Sequence, residues 1–351
     1  MIMSFRWYGE SDPVTIDKIR QIPVVRGIVS ALYDVPQGET WPLEKLRDLR
    51  AAVEKKGFVL SAIESIPVHE NIKLGRPDRD ALIDKYRRSI RNMGEAGIPV
   101  LCYNFMPVFD WTRSNMAFPL ADGSNALSYD DAEILAMDLS NGTEGLPGWS
   151  TSYDAAELRG LLDAYRDLSE EGLWENLGYF LEKVIPAAEE AGVKMALHPD
   201  DPPWSIFGLP RIIRDEAALD RVLKLADSPN NGLSVCTGSL GAHPRNDLPA
   251  IIRKFGSMGR IHFAHVRNVK ITGKGSFHES AHPTGSGSLD MHAVMKAYSD
   301  TGFSGPMRPD HGRMIWGETG KPGYGLYDRA LGAMYLSGLW EALEREKGCR
   351  C

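Results

Sequence analysis

The sequence predicts a (β/α)8 TIM barrel of the α/β class, and three observations predict it. An amphipathic helical segment, then a glycine, then a short β-branched or apolar run recurs along the chain, as in "AAVEKKGFVLSAIES", "RNMGEAGIPVLCYNF", "PAAEEAGVKMALHPD" and "AYSDTGFSGPMRPD". Runs such as "VLSAI" and "VKMAL" are apolar on both faces, which suits strands covered on both sides in a parallel sheet. Eight candidate strands alternate with helices in a chain of 351 residues, a count that favours a closed barrel over an open doubly wound sheet. No Gly-x-Gly-x-x-Gly follows the first strand, so a dinucleotide crevice has no support.

In chain order the strands are "SFRWYG" (4–9), "RGIVSAL" (26–32), "FVLSAIES" (58–65), "IPVLCYNF" (98–105), "VKMALHP" (193–199), "GLSVC" (232–236), "RIHFAHVRN" (260–268) and "GPMRPD" (305–310). Gly57, Gly97, Gly192 and Gly302 precede strands at the left-handed position that closes a helix, where the missing Cβ removes the steric cost. The fourth and fifth strands stand far apart, and a long helix "LWENLGYFLEKVIPAAEEAG" leads into the fifth. This spacing predicts a long helical insertion between them. Residues 106–170 read as a cover over the barrel mouth with aromatic walls, or equally as a dimerisation arm. The barrel domain is expected to span 1–345, with 346–351 a polar tail carrying Cys349 and Cys351.

Hydrophobic residues make up 43% and charged residues 25% of the chain, with a net charge of -7 and both signs interspersed. That balance argues against nucleic acid or an anionic membrane surface as a partner. No apolar run is long enough to span a bilayer, and "MIMSFRWYGESDP" lacks the pattern of a secretion signal, so a cytoplasmic location is expected. Four cysteines, unevenly placed, are too few for a disulfide framework and should be reduced thiols. Cys102 reads as a small buried hydrophobe.

In a parallel barrel all strand C-termini meet at one rim, so residues distant in sequence converge there. The last four strands end at His198, Cys236, His265 and Asp310. Two imidazoles, a thiolate and a carboxylate, one from each strand, are a ligand set for a single metal ion. Each alone has a plainer reading as core or loop, and their recurrence at consecutive strand ends decides for the ligand reading. "RIHFAHVRN" offers two histidines; the period of two places His265 on the face of Ile261 and Phe263, and leaves His262 on the other as support or packing.

The segment "RPDHGR" crowds Arg308, Asp310, His311 and Arg313 together. Arg308 and Arg313 carry the planar fork that takes a carboxylate through two hydrogen bonds, so either is a candidate for the substrate's acid group; a structural salt bridge is the competing role. His278, in the polar, glycine-rich "SFHESAHPTGSGSLD", is a candidate for a loop folded over the ligand. Trp7, Glu64 and Asn104 end early strands and are candidates to line the pocket.

Beyond these features the chain resembles the mannonate dehydratase family of hexuronate breakdown. The resemblance rests on "FRWYGESDPV", "LHPDDPP", "VCTGS", "HFAHVRNVK", "SFHESAH", "GSLDM", "RPDHGRMIWGE" and "PGYGLYDRALG" and covers all but the last few residues. It implies loss of water from D-mannonate to give 2-dehydro-3-deoxy-D-gluconate, with one divalent ion, Mn2+ or Fe2+, in a xylose isomerase-like barrel. It also implies His198, Cys236, His265 and Asp310 as ligands, and a catalytic pair of His311 and Tyr324, with Tyr327 a weaker occupant of the tyrosine role. A homodimer is the expected assembly. The rival readings are a metal-dependent sugar isomerase or epimerase on the same barrel, which would lose no water, and a non-catalytic sugar-acid binding barrel.

Overall fold

The structure is a computed structural model that describes residues 1–137, 139 and 153–348. Cys349, Cys351 and much of the middle of the expected cover lie outside the described residues. All eight expected strands form: β1 (Ile2–Arg6), β2 (Gly27–Ser30), β3 (Val59–Glu64), β4 (Val100–Tyr103), β7 (Lys194–Leu197), β8 (Asn231–Cys236), β9 (Ile261–Val266) and β12 (Pro306–Pro309). They close a parallel barrel in the order β1-β12-β9-β8-β7-β4-β3-β2.

The strands are apolar on both faces because each face is buried against something different. Inside the barrel, Val29, Ala62, Val100, Cys102, Ala196 and Phe263 form a small plug. Outside, the other face packs under the helices in one continuous core that includes Phe5, Leu101, Leu197 and Val235. Helices end where the sequence places glycine: Gly192 closes the helix Glu170–Ala191 at φ 68° and returns its N–H to Ala188 and Glu189. Gly57, Gly97 and Gly302 also adopt positive φ. A side chain with a Cβ is strained in that left-handed region.

The insertion differs from expectation. Between β4 and β7 lie helices Asp131–Leu135, Ala155–Arg166 and Glu170–Ala191, but also a hairpin, β5 (Asn115–Pro119) and β6 (Asn125–Asp130). The glycine-rich segment after β9 is not a simple loop either; it forms β10 (Val269–Gly273) and β11 (Ser276–Glu279), and the four strands make an antiparallel sheet in the order β10-β11-β6-β5. Register pairs Phe277 with Tyr129 and His278 with Ser128. The period of two then decides which side chains point to the barrel: Phe277 and Glu279 are buried, and Phe277 stacks on Tyr129 with ring centroids 5.6 Å apart.

A buried ion pair fastens the start of this insertion to the barrel. Lys73 Nζ lies 2.6 Å from Glu70 Oε1 and donates to the carbonyl of Met106 at 2.6 Å. The other oxygen of Glu70 accepts from Val108 N at 3.1 Å and from Tyr165 Oη at 2.6 Å. Burying two charges is offset only when the remaining donors and acceptors are also satisfied, and here they are. No described helix is long and apolar enough to cross a membrane.

Candidate active site

Strand register sets the layer in which the rim residues meet. Cys236 of β8 is level with His265 of β9, and Arg308 of β12 is level with His265 on the other side. His198 follows β7, and one ligand atom from each of His198, Cys236 and His265 lies within 4.8 Å of the others. The facing nitrogens, His198 Nε2 and His265 Nδ1, are 3.1 Å apart. Of the outward nitrogens, His198 Nδ1 is 2.6 Å from the carbonyl of Pro199, and His265 Nε2 lies 3.4 Å from Glu64 without a hydrogen bond. His198, tethered at one nitrogen with the other turned to the cluster, is oriented as a ligand usually is. Cys236 Sγ accepts from Ser239 N at 3.4 Å and Ser239 Oγ at 3.1 Å.

Asp310 stands beside this trio, its Oδ2 3.5 Å from Cys236 Sγ and its Oδ1 4.0 Å from His265 Nδ1. Burial alone would raise its pKa, but Arg308, then His311 and Arg267, hold the carboxyl well below the usual range. Two imidazoles and a sulfur therefore meet at one point with an ionised carboxylate beside them, and donors of these types suit a divalent transition ion.

His311 follows Asp310 directly. Its Nε2 is 2.8 Å from Tyr324 Oη, and the two rings meet edge to face at 4.8 Å. Its Nδ1 is 3.0 Å from Glu279 Oε1 and 2.6 Å from Arg267 Nη1. A guanidinium can only donate and a carboxylate only accept, so these neighbours compete for opposite tautomers of the ring. Burial, with Asp310 and Glu64 adding to it, raises the Tyr324 phenol well above its ordinary value and keeps it protonated. Trp111, from the insertion, packs on both rings, its centroid 5.1 Å from His311 and 6.3 Å from Tyr324.

A buried lattice of alternating charges supports this centre. Arg267 reaches Asp310 at 2.8 Å, Asp201 at 2.6 Å and Glu279 at 3.4 Å. Arg113 binds Asp201 at 2.8 Å and Glu279 at 2.8 Å. Despite burial, Arg267 and Arg113 pull the Glu279 carboxyl down to about 2 and hold Asp201 below the usual carboxylate range, with Arg113 the larger influence there. Gly238 makes the lattice possible, since a Cβ there would come within 1.8 Å of Arg267 Nε.

A cavity of about 460 Å³ opens at the C-terminal mouth, where His198, Asn104, Arg308, Asp310, His311 and Tyr324 meet Arg6, Tyr8, Asp110, Trp111 and Lys321, while Cys236 and His265 lie outside its lining. Asn104 donates to Asp110 at 2.9 Å. Arg308 reaches the mouth but is bound to Glu64 at 2.8 Å and Asp310 at 2.7 Å. Three of the expected substrate-binding residues also lie outside the lining. Trp7 is buried in the core because alternation along β1 turns its neighbours Arg6 and Tyr8 inward. Arg313 is held by Asp328 at 2.8 Å and Asp122 at 2.7 Å, the salt-bridge alternative to the substrate role. His278 points away from buried Glu279 and stacks on Phe118, with centroids 5.7 Å apart. Tyr327 is exposed at the start of the last helix.

Fold and rim together define a (β/α)8 barrel with a candidate metal centre at its mouth. D-psicose 3-epimerase from Clostridium cellulolyticum H10 shares this fold at a TM-score of 0.56 and 15% identity, over 99% of this chain and 98% of that one. The chain belongs to the D-mannonate dehydratase (UxuA) family, whose sequence model matches residues 1–350. It is similar to mannonate dehydratase 2 of Halalkalibacterium halodurans, 57% identical over 98% of this chain and 99% of the relative. It is equally similar to the mannonate dehydratase of Streptococcus uberis, 57% identical over the same shares. The crystal structure of mannonate dehydratase from Streptococcus suis serotype 2 superposes at a TM-score of 0.93 and 52% identity, covering 99% of this chain and 96% of that one. Membership of this family implies a divalent metal ion and a small sugar-acid substrate.

Proposed function

We propose that the protein removes water from D-mannonate to give 2-dehydro-3-deoxy-D-gluconate, with His198, Cys236, His265 and Asp310 holding one Mn2+ or Fe2+ ion and His311 and Tyr324 moving the protons. The observation that carries this reading is the His311–Tyr324 contact of 2.8 Å, placed in a charged cavity next to the His–Cys–His cluster. The reaction breaks the C2–H and C3–O bonds of adjacent carbons, and the resulting enol becomes the 2-keto acid. A proton acceptor and a proton donor on neighbouring atoms meet that need.

His311 takes the C2 proton at Nε2; that role requires the tautomer in which Nδ1–H donates to Glu279, against the competing Arg267 donor 2.6 Å from the same nitrogen. Tyr324 gives its phenolic proton to the departing C3 oxygen, turning a poor leaving group into water. Proton transfer by a positioned residue contributes roughly 10²–10⁴-fold. A bound divalent ion supplies positive charge against the negative charge that builds on substrate oxygen, several kcal/mol in comparable sites. Trp111, packed on both rings, excludes water, which supports the segment around it as a cover for the mouth.

The test is an anaerobic incubation of the purified protein with D-mannonate across divalent metals, followed by assay for a 2-keto-3-deoxy acid. Formation of that acid with Mn2+ or Fe2+ is expected. Epimerisation without loss of water, or binding without turnover under every metal, would overturn the reading.

A further inference from the structure

One wall of the cavity carries positive charge that the steps above leave unused. Arg6 ends β1, which stands four places round the barrel from β7 and so lies across the mouth from His198. Its side chain is buried and lines the cavity, yet Nε and Nη1 have no hydrogen-bond partner. Its carboxylate neighbour is Glu64, 3.2 Å from Nη1. That carboxylate is already held by Arg308 through two contacts of 3.1 and 2.8 Å, with His265 Nε2 3.4 Å away. Arg267 and Arg308 each touch two or more carboxylates; Arg6 shares one. A buried guanidinium with unused donors is costly unless something else completes it.

Lys321 adds a second cation on the same side. It has no carboxylate partner among the described residues; its Nζ sits 4.0 Å from the Tyr8 ring centroid and 5.3 Å from that of Tyr324. Arg6 lies against the same ring, its guanidinium carbon 4.8 Å from the Tyr8 centroid. Tyr8 in turn meets Tyr324 edge to face at 5.1 Å. Two under-neutralised cations thus share one aromatic ring, adjacent to the proton-transfer pair.

We infer that Arg6 and Lys321 form a carboxylate clamp that takes the acid end of the substrate and makes the site select sugar acids over neutral sugars. The identity of the acid rests on the dehydratase reading; the clamp itself rests on the unpaired charge. The placement suits the chemistry. A carboxylate held here leaves C2, its bonded neighbour, close to Tyr324 and His311, and the negative charge that spreads onto the carboxylate oxygens as the C2 proton leaves meets cations already in position.

The experiment compares a six-carbon acid with its alcohol, D-gluconate against D-glucitol, by calorimetric titration of the metal-loaded protein. Wild type is expected to hold the acid at least about 100-fold more tightly than the alcohol, as two charge-assisted contacts require. Lys321→Met is expected to cut that preference roughly tenfold and Arg6→Gln roughly 100-fold, with alcohol binding unmoved and Lys321→Arg restoring the preference. Thermal melts separate a folding defect from a binding one, and Lys321→Met, at an exposed position, keeps the test open if Arg6→Gln does not fold. Equal affinity for acid and alcohol in wild type, or equal losses for both in the variants, overturns the clamp. Because binding is read without turnover, absence of dehydration beside a charge-dependent preference would sink the dehydratase reading and leave the clamp standing.

Discussion

The two ends of the barrel each open into a cavity, and β9 carries a histidine toward each end, yet only the C-terminal end gathers the candidate ligand cluster. The C-terminal mouth, about 460 Å³, is lined by charged groups that include Arg6, Asp201, Arg267, Arg308 and Asp310. The N-terminal cavity is larger, about 580 Å³, and lies among strand starts such as Leu60, Val100, Ile261 and Pro306. There His262 is tied by Nδ1 to the carbonyl of Met195 at 2.6 Å, and burial pushes its pKa down to about 4, so the ring stays neutral. Size therefore does not mark the functional end. What marks it is that strand ends deliver titratable groups to one point, where a parallel barrel leaves backbone and side chains free to meet.

The largest break in this contrast should come from the ligand cluster. Cys236→Ala removes the sulfur donor from a buried site, and the protein is expected to retain almost no bound metal by elemental analysis while dehydratase activity falls about 10⁴-fold, the equivalent of the several kcal/mol a metal supplies. Full metal content with full activity would remove the thiolate from the ligand set. Next in size is Tyr324→Phe, which deletes one oxygen. Metal content should be unchanged and kcat should fall roughly 10²–10³-fold; an unchanged kcat would take the phenol out of the proton transfers.

The sequence made one half of the site legible and hid the other for a physical reason. His198, Cys236 and His265 come together, with Asp310 beside them, because each lies at or next to the end of a barrel strand, and strand ends in a closed parallel sheet must converge. The period of two also places His265 and His262 on different faces, and the structure turns one to His198 and the other to Met195. The same rule carried two residues further would have marked Arg267, and applied to β1 would have replaced Trp7 by Arg6 and Tyr8. Glu279, Asp201 and Arg113 left no comparable trace. They meet across 166 and 88 residues of chain, and the first depends on an antiparallel sheet that joins the insertion to the hairpin after β9, in segments whose composition reads as loop. Arg313 was misleading because its partner Asp328 lies in the first turn of the last helix, where an acidic residue has a helix-end role of its own.

The charged lattice at the mouth predicts an acid limit to stability. Glu279 has an ordinary value of 4.5 and is held at about 2 in the folded chain. A depressed carboxyl favours the folded state above its unfolded value, so the contribution is complete above about 4.5 and disappears as pH falls toward about 2. The size is about 3 kcal/mol for a fully buried group. Denaturant unfolding of Glu279→Gln across this range should show a shallower pH slope than wild type. A parallel pair of curves would mean that Arg113 and Arg267 do not hold the carboxylate in the folded state.

The smallest effect on function is expected at the other end. His262→Gln keeps a donor able to reach the carbonyl of Met195 and removes the imidazole, so metal content and turnover should match wild type, with a stability cost of about 1–2 kcal/mol at neutral pH. The acid profile distinguishes the two ends. A buried histidine held neutral, from 6.5 down to about 4, lends stability that is complete above pH 6.5 and is lost as pH falls from 6.5 toward about 4, because the unfolded chain takes up the proton first. The variant should lack that slope and retain the one set by Glu279. If His262→Gln instead abolished turnover or released the metal, the two ends would be coupled through β9, and the assignment of the chemistry to the C-terminal mouth alone would fail.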